Sequence, residues 1–277
     1  MAFLRSFGIG ALVARTALGW VRRDPNAGDL RRTNFHGRTV TLAGGPALAL
    51  GATAGAASGA ATTRLAAAAV AAGAVSGAVG FYDDVVGNRP EQKAFKGFAG
   101  HLGALREGKV TSGLVKIAGV GAAGLAASAL IGSRRSSRFG RGADVLLGAG
   151  VIAGTANLLN LLDLRPGRAL KAGTILGAPL ALGRGGALTA GTLGAGAALL
   201  PADLNEEIML GDSGANALGA LLGVAFTARS GTAGRVAALA VLASLTAASE
   251  QISFTKVIQD TPWLRAVDEL GRRPPEA

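Results

Sequence analysis

Residues 65–87 read LAAAAVAAGAVSGAVGFYDDVVG, an uncharged run that follows Arg64 and stops on two adjacent carboxylates, Asp83 and Asp84. A stretch of this length and apolarity suits a bilayer core, which a helix of about 20 residues crosses. Charge is costly there, so an acidic pair at its border is a candidate functional site. A polar end that simply lets a membrane helix meet water is the alternative.

The same reading extends along the chain. Only 16% of the residues are charged and mean hydropathy is +0.40, against about 25% charged in soluble domains. The 44 Gly suit helices that approach closely through small residues. Gly51, Gly55 and Gly59, and likewise Gly73 and Gly77, each form one smooth helix face. No Cys is present, which excludes disulfides and thiolate metal sites, and the two His are far apart in sequence. The net charge of +11 fits anionic headgroups or phosphorylated substrates at a membrane surface. Nucleic acid is not an expected partner.

Apolar segments are expected over 1–20, 43–63, 65–82, 113–132, 143–162, 172–183, 186–200, 211–228 and 232–249, with Arg64 separating the second from the third. This predicts an all-α, polytopic integral membrane protein of about nine transmembrane helices, forming one domain over residues 1–277. The 172–183 segment is short for a span. The cluster Arg22, Arg23, Arg31, Arg32 and Arg38 follows the first segment, which favours a retained helix with its N-terminus outside. Parity then places loops 21–42, 83–112, 163–171 and 201–211, and the polar tail 251–277, on the cytoplasmic side. The loop carrying Arg134, Arg135, Arg138 and Arg141 falls outside, against the positive-inside bias.

Two further polar nodes share the predicted cytoplasmic face. Asn157, Asn160 and Asp163 recur every three residues and so lie on one helix stripe, followed by Arg165, Pro166, Gly167 and Arg168. Such a stripe faces protein or a wet cavity. It reads as an interhelical hydrogen-bond seam or as a site whose guanidinium forks suit diphosphate. Gly211-Asp212-Ser213-Gly214, preceded by Asp203, Glu206 and Glu207, reads as a helix cap or as a carboxylate set among glycines for metal and phosphate. Hard oxygen ligands near Lys and Arg favour Mg²⁺ and phosphoryl transfer.

The order of these motifs resembles the polyprenyl-phosphate N-acetylhexosamine-1-phosphate transferases. The similarity runs over roughly residues 31–228, from Asn34-Phe35-His36-Gly37-Arg38 and Gly44-Gly45-Pro46 through Asp83-Asp84 and Asn157…Asp163 to Gly211-Asp212-Ser213-Gly214. It implies an enzyme of the cell membrane with a cytoplasmic active face. Such an enzyme moves a sugar-1-phosphate from a UDP-sugar to polyprenyl phosphate, releasing UMP, in peptidoglycan or envelope polysaccharide synthesis. The implied cofactor is Mg²⁺ on Asp212. Asp83 and Asp84 would be catalytic, holding the lipid phosphate. Its second pKa near 6 makes positioning more useful than proton abstraction. Asn34, Arg38, Lys96, Asn157, Asn160, Asp163, Arg165 and Arg168 would bind substrate. Expected partners are the polyprenyl lipid, the nucleotide-sugar, membrane lipids and a second copy in a homodimer. The chain departs from the family pattern at Leu164-Arg165-Pro166-Gly167, where Gly-Leu-Asp-Gly is usual, and it lacks the family's His-rich loop. A non-catalytic relative that binds lipid phosphate or scaffolds envelope enzymes is therefore the alternative.

Overall fold

Helices begin where a hydroxyl can hold an orphan amide and end where glycine or an extended residue stops the spiral. The computed structural model describes residues 1–87, 89, 97–133, 135–183 and 185–273. Its helices are α1 Ala2–Arg23, α2 Gly44–Gly59, α3 Thr63–Val86, α4 Gly97–Arg106, α5 Ser112–Ile131, α6 Arg138–Leu162, α7 Arg168–Ala181, α8 Gly186–Leu204, α9 Gly211–Arg229, α10 Thr232–Ser249, α11 Phe254–Asp260 and α12 Pro262–Glu269. The side chains of Thr62, Thr111 and Ser137 accept hydrogen bonds from Leu65, Leu114 and Gly140 and so open α3, α5 and α6. The α2–α3 break accordingly falls at residues 60–62, and Arg64 lies inside the first turn of α3 rather than between helices.

The expected helical segments are present with shifted ends, and the stretches read as polar loops hold further structure. The 83–112 region contains α4, the tail contains α11 and α12, and the basic loop is a hairpin. In that hairpin β1 Arg31–Thr33 pairs antiparallel with β2 Thr39–Thr41. Helix α7 has only 14 residues and carries Pro179. At 1.5 Å per residue it reaches about 21 Å, short of a bilayer core of about 30 Å.

Among the described residues five helices, α3, α5, α6, α8 and α10, are long and apolar enough to cross a membrane by length and composition. Helix α10 buries only Arg235 and Leu242 and leaves Val236 and Val241 exposed. An apolar helix with an open apolar flank suits lipid better than water.

Small residues set the packing. A Cβ on Gly191 of α8 would lie 2.0 Å from the Gly55 carbonyl carbon of α2, and one on Gly10 of α1 would lie 2.0 Å from the Gly191 oxygen. Three backbones therefore meet with nothing between them, which only glycine permits. The Gly51–Gly59 face contacts α1 and α8, and Gly73 and Gly77 lie on Thr53 and Ala49 of α2. Contacts of Gly80 with Asp212 and of Gly73 with Leu221 make α3 and α9 antiparallel, and Gly124 against Ala149 with Gly148 against Ser128 does the same for α5 and α6. One end of the bundle thus gathers the end of α3, the start of α5, the end of α6 and the start of α9.

Candidate functional site

The start of α9 is the hub of that end. Its first amides are orphan donors with a partial positive charge, and α9 has no side-chain cap of its own. Asp84 supplies the missing acceptor from α3: its Oδ1 takes the Asp212 amide at 2.9 Å and its Oδ2 the Ser213 amide at 3.0 Å. Asp163, just past α6, accepts from the Gly211 amide. Gly211 has φ +57°, and a Cβ there would sit 2.7 Å from Asp84 Oδ1, so both the turn and the close approach need glycine. The Arg32 guanidinium, from β1, donates to the Asp84 carbonyl at 3.1 Å.

Asp83 is one residue, and so about 100°, further round α3. Its Oδ2 lies 2.6 Å from Lys116 Nζ of α5, and Asp212 Oδ2 lies 2.5 Å from the same nitrogen. Two carboxylates therefore converge on one cationic point. Among the described residues no group of three or more His, Asp or Glu is arranged to hold a metal ion. Asp83 and Asp212 nevertheless provide two hard oxygen donors aimed at one place, which fits Mg²⁺ when substrate phosphates complete its shell. Asp84 is occupied by amides and belongs to the scaffold of the site.

Two cavities flank the hub. The first, about 160 Å³, is lined by Asp163, Arg165, Asp203, Glu206, Asn34 and Phe35 among others. The Arg165 guanidinium lies 4.1 Å from the Phe35 ring centroid. Loss of hydration, then the charges of Asp203, Asp84 and Asp212, push Asp163 well above its ordinary pKa of 3.8. The second cavity, about 300 Å³, is lined by Lys116, Asn157, Asn160, Asn216 and Thr246 with apolar neighbours. Asn157 donates to Thr246 Oγ1 at 3.1 Å. Asn216 Nδ2 is buried without a partner, a donor suited to a ligand oxygen.

Three of the remaining sequence candidates are engaged by protein groups. Asn34 and Arg38 hold Glu206: Arg38 Nη1 is 3.0 Å from Oε1, His36 Nδ1 is 2.9 Å from the same oxygen, and Asn34 donates to Oε2. Glu206 has φ +58° and is buried, a strained backbone over-determined by this clamp. Burial alone would raise its pKa, but the bonds from His36 and Asn34 and the Arg38 charge outweigh that and hold it below 4.5. Arg168 is buried and turned to the tail, with Nε and Nη2 on Asp268 at 2.8 and 3.0 Å and Nη1 on Thr255 at 2.9 Å. Lys96 lies outside the described residues. Lys116 is the residue that the sequence reading passed over, although it is a lone charge inside an apolar segment, the signal that singled out Asp83.

No protein-family model matches the chain, and no curated protein is found to be similar to it.

Proposed function

We propose that this chain is a membrane glycosyl-1-phosphate transferase that joins a sugar-1-phosphate from a UDP-sugar to polyprenyl phosphate and releases UMP, supplying envelope polymer synthesis. In this reading α1–α3 and α5–α10 form nine membrane-associated helices, and the hub faces the cytoplasm of the cell membrane. The observation that carries it is the convergence of Asp83 and Asp212 on one cationic point beside the amides of α9. Phosphoryl transfer needs positioning and charge neutralisation at one place, and this end of the bundle offers both.

A lipid-phosphate oxygen attacks the phosphorus of the sugar-1-phosphate. The bond from that phosphorus to the UMP oxygen breaks, and UMP leaves with the electron pair. Mg²⁺, held by Asp83 and Asp212, would neutralise charge on the phosphate oxygens. Lys116 occupies the point between the two carboxylates in this structure and would give it up to the ion, while Asp84 with Asp163 keeps the start of α9 aimed at the reacting phosphates. Arg165 and Phe35 offer the nucleotide a guanidinium–aromatic surface, while the cavity of Asn157, Asn160 and Asn216 takes polar groups beside the lipid.

A labelled UDP-sugar panel, polyprenyl phosphate and Mg²⁺ presented to membranes containing the protein test this. Lipid-linked product is expected from at least one donor, falling about 100-fold or more with Asp83→Asn. No product from any donor with correctly inserted protein refutes it. A second reading, a lipid-phosphate-binding relative without catalysis, is favoured by Lys116, which already bridges the two carboxylates where an ion would sit. It predicts that the cellular role survives Asp212→Asn.

A further inference from the structure

The opposite end of the bundle carries a second polar cavity, of about 420 Å³, where the starts of α3 and α10 meet the ends of α5 and α9. Three guanidinium groups line it, from Arg64, Arg135 and Arg235, against the single carboxylate of Asp144. Asp144 is already engaged: Oδ1 accepts from Thr232 Oγ1 at 2.9 Å and Oδ2 from Arg235 Nη1 at 3.0 Å. One positive charge is thus neutralised and two remain. Arg64 and Arg135 are exposed, and among the described residues neither makes an ion pair.

Arg235 is the anchor. It is 4% exposed, its Nη2 donates to the Thr227 carbonyl at 2.9 Å, and its Nε is buried without a partner. Ser230 Oγ, also in the lining, is buried and unpartnered too. A buried donor left unmade costs more than the bond would return, so each such group calls for a partner such as a ligand or an ordered water. The same cavity receives the start of α10, an 18-residue helix with Gly231 at its N-cap and no side-chain cap. Its free amides and dipole favour an anion. Guanidinium forks beside helix amides suit a tetrahedral oxyanion.

We infer that this far-end cavity binds the phosphate group of an anionic ligand, separately from the carboxylate site at the other end. The inference stands whether or not the chain transfers sugars. It also accounts for the basic loop that runs against the positive-inside bias, since Arg135 lines the cavity and Arg138 and Arg141 are exposed beside it in sequence. A phospholipid headgroup and free phosphate share the required chemistry.

Thermal unfolding of the purified protein in detergent, titrated with dihexanoyl-phosphatidylglycerol, dihexanoyl-phosphatidylcholine or inorganic phosphate, tests the site. The wild type is expected to be stabilised saturably by the phosphatidylglycerol and less by the zwitterionic lipid. The Arg64→Ser/Arg135→Ser protein should need about tenfold more of the anionic probe. An equal wild-type response to inorganic phosphate assigns the site to free phosphate, and a response to the lipid alone assigns it to a headgroup; either supports the inference. Should the double variant lose its unfolding transition, Arg64→Ser alone carries the same comparison. Equal responses of wild type and variant, or no stabilisation of the wild type by either anion, overturn it.

Discussion

Replacing Asp84 by Asn separates the scaffold of the near-end site from its chemistry. The carboxylate accepts two backbone amides at 2.9 and 3.0 Å. A carboxamide keeps one acceptor oxygen and turns an NH₂ toward the other amide, donor against donor. Losing one charge-assisted hydrogen bond costs about 1.5–3 kcal/mol, and removing the anion from the start of α9 costs about 0.3–1 kcal/mol more. A destabilisation of about 3 kcal/mol lowers Tm by about 6–12 °C at roughly 2–4 °C per kcal/mol. Asp83→Asn behaves differently. Lys116 keeps Asp212 at 2.5 Å, so no buried cation is left without a carboxylate and the cost should be smaller than for Asp84→Asn. Unfolding of both variants in one detergent, alongside the proposed transferase activity, makes the comparison. Asp84→Asn should lose stability and activity together, and Asp83→Asn activity alone. A Tm for Asp84→Asn within about 2 °C of wild type, or an equal fall for Asp83→Asn, refutes the assignment of Asp84 to the scaffold.

Three further outcomes are expected. With its folded pKa above 3.8, Asp163 favours folding fully below pH 3.8, and that contribution is lost as pH rises toward the raised value. Tm measured from pH 4 to 8 should therefore show Asp163→Asn gaining on wild type as pH increases. Gly191→Ala places a Cβ 2.0 Å from the Gly55 carbonyl carbon and should cost about 1–3 kcal/mol or more by overpacking. Gly121→Ala, with nothing within 4 Å, should be neutral or stabilising by up to about 1 kcal/mol, and thermal unfolding of the pair reads both. Asp268→Ala leaves buried Arg168 without its carboxylate, at a cost of about 3–5 kcal/mol, and limited proteolysis should then cut the tail ahead of α11 faster.

Much of the near-end site was legible because its carboxylates mark helix ends in chain order. Asp83, Asp84, Asp163 and Asp212 stand at the edges of apolar runs, where hydropathy alone locates them. Their division of labour was not legible. Asp83 and Asp84 are identical in type and adjacent, and only the rotation of one helical residue sends one to Lys116 and the other to the α9 amides. The Arg168–Asp268 pair joins residues 100 apart, and the Glu206 clamp joins β-hairpin to α8–α9 turn across 168 residues. Neither leaves a local pattern. At Arg64 the charge was given more weight than the neighbouring hydroxyl, yet Thr62 sets the helix start, because an N-cap satisfies a backbone donor that an Arg cannot.

The grip of the tail on the turn after α6 has a bearing on biogenesis. Asp268 pairs with Arg168 and with Arg272, and Arg272 donates to the Pro166 carbonyl at 3.2 and 3.3 Å. The turn presenting Asp163 and Arg165 is therefore fastened by residues translated a hundred codons later. While the ribosome is still making α7–α10, Arg168 has no Asp268 to meet. The turn that presents Asp163 and Arg165 therefore gains these fastenings only after α12 has been made and has folded back onto it.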